Sequence, residues 1–272
     1  MLCKIARVSV SWYYKHRSLL LKNQTKQQRE EHDVKILQSL TLKYNNRYWY
    51  RMITMLLQWK WILWNHKKVL RMMSKYNLLS KVRKRNPYKN IAKATKEHRS
   101  FRNILNRNFS WKIPFTQLWT DISYLYYNGT KSYISILKDM VSWEIVSHKI
   151  SNNLWLDFVI ETIKNASHKL KNWSIIQSDQ WWHYTHPTYS KKLKELWVIQ
   201  SMSRKWNCLD NAPTESFFWH MKDEINLVNI HSFQELENYI NNYIFHYNYN
   251  RPQWNRKKMT PVQYRNHLLY LS

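Results

Sequence analysis

Leu118-Trp119-Thr120-Asp121-Ile122-Ser123-Tyr124-Leu125-Tyr126-Tyr127 is the stretch that decides the fold. It is dense in β-branched and aromatic residues, which suit a pleated, half-buried surface. Asn128-Gly129 follows at once, and that dipeptide favours a two-residue hairpin. Two more β-rich runs come close behind, Ser132 to Lys138 and Trp143 to Ile150. Together they predict a three-stranded meander. The period then changes. Leu154 to Leu170 reads as a helix, Ser174 to Ser178 as a buried strand, His186 to Leu196 as a helix and Val198 to Met202 as another strand. Helices over Ala212–Asn226 and Phe233–Asn248 complete the series. Strands first, then helix and strand in alternation, make an α/β protein with a mixed sheet covered by helices.

That order suits a ribonuclease H-like fold over residues 115–272, ending in a C-terminal helical tail. Toward the N-terminus the pattern turns all-helical. Residues 1–26 read as a lead-in, with a helix from Leu2 to Val10 and a turn at Ser11-Trp12-Tyr13-Tyr14. Residues 27–86 hold three helices: Glu30 to Leu42, with Val34, Leu37 and Leu40 on one face, Tyr50 to Leu57, and Asn65 to Lys75 with Asn65 as N-cap. Gln58 to Trp64 is a short connector, and glycine at position 61 would supply the turn residue it lacks. Two short helices on a tight connector, the second carrying His66, Lys67, Lys68 and Arg71 near its start, form a helix-turn-helix candidate. Residues 87–114 read as a basic linker.

Charge supports this division. The 272 residues carry a formal net charge of +27. Residues 1–116 hold 27 basic and 4 acidic side chains, whereas 117–272 hold 17 and 13. A strongly basic half joined to a nearly balanced half points to a polyanion-binding module on something else. Cys3 and Cys208 are the only cysteines, which excludes a disulfide scaffold and a CxxC zinc site. No apolar run reaches membrane-span length, and the N-terminus lacks a signal sequence. The expectation is a soluble cytoplasmic protein associated with the nucleoid.

One count stands apart. The chain has 16 Trp and a single Gly, Gly129, where roughly 19 Gly would be usual at about 7%. The excess of one residue matches the deficit of the other. Abundant Lys, Asn, Ile and Tyr fit an AT-rich gene. These counts imply UGA codons that the parent cell reads as glycine and that appear here as tryptophan.

Three carboxylates hold positions that suit chemistry. Asp121 lies within the first strand, Asp179 ends the strand before last, and Glu215 opens a helix, 35 residues separating the last two. Carboxylates at strand ends and on a covering helix can meet at one sheet edge. Three hard oxygen donors suit Mg²⁺, and a pair of such ions suits in-line phosphoryl transfer.

Residues from about 115 to 268 resemble the catalytic core of OrfB-type insertion-sequence transposases, relatives of retroviral integrases with a DDE core. The stretches that carry the resemblance are Trp119-Thr120-Asp121-Ile122-Ser123-Tyr124-Leu125, Gln177 to Tyr184, Gln200 to Phe218, Tyr247 to Trp254, and Met259-Thr260-Pro261-Val262-Gln263-Tyr264-Arg265. Tyr48 to Met73 resembles the helix-turn-helix region that precedes that core. The resemblance implies an enzyme that cleaves transposon ends and transfers the 3′-hydroxyl strand to target DNA. It implies Asp121, Asp179 and Glu215 as ligands of two Mg²⁺ (or Mn²⁺) ions, and a phosphate contact at Lys222, two helical turns beyond Glu215. Arg204, Lys205, Lys67, Lys68 and Arg71 are the other expected DNA contacts. His183, Tyr184 and His186 are expected as loop or DNA-contact residues. The implied partners are transposon and target DNA, a small upstream helix-turn-helix/zipper protein, and further copies of the chain on DNA. The alternative from another class is a non-catalytic DNA-binding relative. The family pattern has glycine where this chain has Trp181, Trp197, Trp206 and Trp219, whereas Trp182 and Trp254 read as genuine tryptophans.

Overall fold

The computed structural model describes residues 9–80, 101–105, 113–203 and 212–271, with the side chains of 20–25 and 212–215 outside that description. It divides into two units, Met1–Val82 and Arg83–Ser272.

The first unit is helical. Helix α1, Val10–Lys43, begins where the Ser9 hydroxyl accepts from the Trp12 amide. It runs straight through Ser11 to Tyr14, so the turn expected there is absent. No Gly or Pro occurs between residues 10 and 43, and nothing local interrupts the helical hydrogen bonds. Of the expected Leu2–Val10 helix, residues 2–8 lie outside the described residues. Helix α2 spans Tyr50–Trp59 and α3 spans His66–Lys75. The Asn65 side chain accepts from the Lys67 amide at 2.8 Å, the cap that its sequence position predicts. Val34, Leu37 and Leu40 of α1 pack with Ile53, Leu57, Val69 and Met73 in one buried cluster.

The second unit is built on a five-stranded sheet: β1 Gln117–Tyr127, β2 Thr130–Asp139, β3 Ile145–Ser151, β4 Ile175–Ser178 and β5 Ile199–Met202. Asn128 and Gly129 both have positive φ, 42° and 71°, the backbone that a type I′ hairpin requires. The strand order is β3-β2-β1-β4-β5. β1 to β3 form an antiparallel meander, and β4 and β5 run parallel to β1. This is the ribonuclease H-like arrangement. Helices follow in the order α4 Leu156–Ala166, α5 Trp182–Thr185, α6 Pro187–Glu195, α7 Ala212–Glu224, α8 Phe233–Tyr249 and α9 Pro261–Tyr270.

Strand alternation assigns the layers. Leu118 and Ile122 of β1 face a cluster with Phe158, Val159 and Ile163 of α4 and Tyr189 and Leu193 of α6. Leu125 and Tyr127 face Phe217, Phe218 and Met221 of α7 and Leu236 and Ile240 of α8. Odd-numbered positions of β1 therefore look toward α7. Residues 101–105, inside the stretch read as linker, lie against the sheet: the Ile104 amide donates to Ser201 Oγ, and Leu105 is buried with Trp119 and Ile175.

A buried ion pair ties α7 to the end of α8. Arg251 reaches Glu224 through Nε at 3.0 and 3.1 Å and through Nη2, and Tyr243 donates to the same carboxylate at 2.9 Å. Beyond it, Thr260 and Gln263 form a reciprocal capping box at the start of α9. Arg251→Ala should cost about 3–5 kcal/mol in urea unfolding, because Glu224 is left buried without its cation. The paired change Glu224→Leu with Arg251→Met should cost much less; an equal cost would show that the charges themselves hold α7.

Candidate active site

β4 pairs with β1 in parallel, Gln117 beside Ile175 and Trp119 beside Gln177. The paired positions end there; Asp121 lies two residues further along β1, and Asp179 two residues beyond Gln177, just past the last residue of β4. Asp121 is an odd-numbered position of β1, the set that looks toward α7. Glu215 is the fourth residue of α7, three before Phe218, whose ring packs on β1's neighbours. Asp121 thus sits on a strand paired with the one that leads to Asp179, and Glu215 lies in the first turn of α7. Among the described residues no group of three or more His, Cys, Asp or Glu side chains gathers; of Glu215 only the backbone is described.

Tyr184 lies beneath the pair. It is fully buried, and its hydroxyl sits 3.4 Å from Thr120 Oγ1. Burial pushes its phenol well above the ordinary range, and the charges of Asp121 and Asp179 both push the same way. Each carboxylate is oriented by backbone: Asp121 Oδ1 accepts from Ile122 N–H at 2.8 Å, and Asp179 Oδ1 from Trp181 N–H at 3.0 Å. Carboxylate oxygens of this kind, one within β1 and one just past β4, are donors of the type a hard divalent cation takes.

Residues 215–269 match the family model described as "Integrase core domain". The chain is 32% identical over 276 residues to a putative transposase, InsK of insertion sequence IS150 from Escherichia coli K12, covering 97% of this chain and 92% of that protein. It is 33% identical over 211 residues to an uncharacterized transposase-like protein of Haemophilus influenzae, covering 74% and 93%. The chain belongs to the insertion-sequence transposases. Its function is DNA transposition, and the family is one of polynucleotidyl transferases. Among solved structures, the catalytic core of HTLV-2 integrase in complex with magnesium aligns over 56% of this chain and 97% of that one, with 14% identity and a TM-score of 0.44.

The remaining expected positions of the transposase divide. Lys67 and Arg71 are exposed one turn apart on α3. Lys68 is half-buried instead, bonded to Asp33 of α1 and set 4.0 Å above the Trp64 ring. Lys222 is partly exposed on α7, one turn past Phe218. Arg204, Lys205, Trp206 and Cys208 lie outside the described residues. His183 and Tyr184 are not surface groups. His183 is buried, with Nε2 3.2 Å from the Leu154 carbonyl oxygen and its ring 3.8 Å from that of Trp182. The hydrophobic side of the short helix α5 takes both inward, and His186 caps α6 through Nδ1.

The structure adds a cluster that the sequence reading missed. Tyr124 and Tyr133 face each other across β1 and β2, and Lys131 Nζ lies 4.1 Å from one ring centroid and 5.3 Å from the other. The edge of Trp181 meets Tyr124 at 6.3 Å. Tyr133 and Trp181 pack on the α4 side of the sheet, the face of β1 opposite to that of its odd-numbered positions. The cluster's signal in the sequence is the alternation Lys131-Ser132-Tyr133 opposite Tyr124 across the Asn128-Gly129 turn.

Like charges opposed on adjacent strands destabilise a sheet. Asp121→Asn or Asp179→Asn should therefore stabilise the metal-free protein by about 0.2–1 kcal/mol, read as a raised urea midpoint in chelator at low salt. Asparagine keeps the accepting Oδ1, so the change isolates the charge. A lowered midpoint for both variants would show that the two carboxylates do not oppose one another.

Proposed function

We propose that this transposase cleaves DNA at transposon ends and joins the freed 3′-hydroxyl to target DNA at the corner that Asp121, Asp179 and Glu215 share. What supports this reading is one observation: β1, which carries Asp121, pairs in parallel with β4, which leads directly into Asp179, in a sheet on which the helix that carries Glu215 packs. These three side chains would hold Mg²⁺ or Mn²⁺, two ions on the family resemblance. Such cations supply charge neutralisation at the phosphate and lower the pKa of a bound hydroxyl.

In the first step water attacks a phosphodiester at the transposon end, a new P–O bond forms, and the 3′-oxygen leaves as a hydroxyl. In the second, that hydroxyl attacks a target phosphodiester, whose own 3′-oxygen leaves. Both displacements need the reacting phosphate held in line with its nucleophile. Backbone amides fix the two aspartates for this task, and the neutral phenol of Tyr184 fixes Thr120 under them. Lys222, partly exposed on α7, would meet a phosphate of the strand that enters. Lys67 and Arg71 present the exposed face of α3 to DNA, with Arg204 and Lys205 as further contacts. Association of copies on DNA, an upstream helix-turn-helix/zipper partner and a nucleoid location rest on the resemblance alone. Among the described residues no helix is long and apolar enough to cross a membrane.

Asp179→Asn and Glu215→Gln should each cut Mg²⁺-dependent end cleavage by about 10²–10³-fold, the scale of several kcal/mol of lost charge stabilisation, with DNA affinity nearly unchanged. Cleavage at the parental rate would remove that residue from the site.

Lys67→Ala with Arg71→Ala should weaken DNA binding and reduce the slope of log K against log salt by about 0.9 for each phosphate no longer neutralised. Lys68→Ala should instead lower the stability of the helical unit, because it strands Asp33. An unchanged slope for the double variant would turn α3 away from DNA.

A further inference from the structure

We infer that Trp61, Trp143, Trp173 and Trp197 occupy glycine positions, and that the functional transposase carries glycine there, encoded by UGA. The composition raises the idea and the backbone locates it. These four residues have φ of 62°, 69°, 70° and 55°, the left-handed region that glycine enters freely and bulky L-residues avoid. Gly129, the one glycine of the chain, lies there too, at 71°.

The helix ends provide an internal control. Four helices close with the same pair of backbone hydrogen bonds, which needs a left-handed residue just past the helix. At the end of α1, Asn45 N–H donates to Leu42 O and Asn46 N–H to Thr41 O; at α3, Asn77 to Ser74 and Leu78 to Met73. At α2 the same two bonds run from Trp61 to Gln58 and from Ile62 to Leu57; at α6, from Trp197 to Lys194 and from Val198 to Leu193. The left-handed residue is asparagine in the first pair and tryptophan in the second. Asparagine is a common substitute for glycine at this position, because its short polar side chain bonds locally. An indole has no such compensation.

Burial gives little at three of them: Trp61 is 90% exposed, Trp173 66% and Trp197 65%, the last two meeting only each other edge to face. Trp143 is partly buried, with the Arg256 guanidinium 4.3 Å from its ring centroid, so its assignment rests on φ alone. Trp119, by contrast, is 1% exposed in the extended backbone of β1 and belongs to the core. Trp119 is thus set by packing, whereas Trp61, Trp173 and Trp197 stand exposed on a backbone that favours the absence of Cβ. Trp181 has φ −68°, so its backbone does not require glycine. Its assignment rests on the family pattern.

The test compares two chains made from unambiguous codons, one with tryptophan at all four positions and one with Trp61→Gly, Trp143→Gly, Trp173→Gly and Trp197→Gly. The glycine chain should melt several degrees higher. Trp61→Asn and Trp197→Asn should recover part of that gain, and Trp61→Ala, which removes the ring but keeps Cβ, should not. Trp119→Gly should melt lower. Equal gains from Trp61→Ala and Trp61→Gly, or a glycine chain that melts below the tryptophan chain, would overturn the inference. So would tryptophan in peptides covering residues 61 and 197 of the protein isolated from its own cell, where mass spectrometry should find glycine.

Discussion

The parallel pairing of β4 with β1 is the constraint on which the site depends. Only three residue pairs define it, yet they fix the height of Asp179 relative to Asp121. A slip of one residue would turn Asp179 to the other face of the sheet, toward α4 and α6, and leave Asp121 alone. The fully buried faces of both strands prevent this, since Leu118 and Ile176 share one hydrophobic cluster and Trp119 and Ile175 the other. The chemistry of the corner is therefore held by packing several residues away from it. The α7 layer adds the third acidic position, and the Glu224–Arg251 pair anchors the far end of that helix.

Much of the sheet was legible in the sequence because strands and turns announce themselves locally. Asn128-Gly129 specified its hairpin, and the β-rich runs fell within a few residues of the observed strands. The two aspartates are singled out by their places in the chain, Asp121 interrupting an apolar strand and Asp179 following one. What the sequence hid depends on partners far along the chain. Lys68 reads as a DNA contact until Asp33, 35 residues earlier, is seen to bind it. His183 reads as a loop residue until the short helix α5 turns it into the core. Residues 101–105 sit among cationic neighbours and read as linker, although Leu105 packs beneath Trp119.

The two units display different physics for the same ligand. The helical unit offers exposed cations on a helix whose opposite side is apolar, which suits a sequence-tolerant grip on phosphates. The sheet unit offers opposed anions, which bind DNA poorly without a cation between them. A protein that recognises one polyanion with both signs of charge separates holding from cutting, so each can be altered without the other.

One edge of the sheet is stopped by a side chain. At β3 the Asn248 amide donates to Ile145 O at 3.0 Å and accepts from Ile145 N–H at 2.9 Å, imitating a neighbouring strand. At Ile145 the ladder offers no free rung for another sheet to extend. Beside β5 the Ile104 amide donates to the Ser201 hydroxyl, so residues 101–105 lie along that strand. Copies of the core crowded along one DNA duplex can then meet through helices and loops without fusing into a continuous sheet, a safeguard against aggregation at the high local concentration that a shared polymer creates.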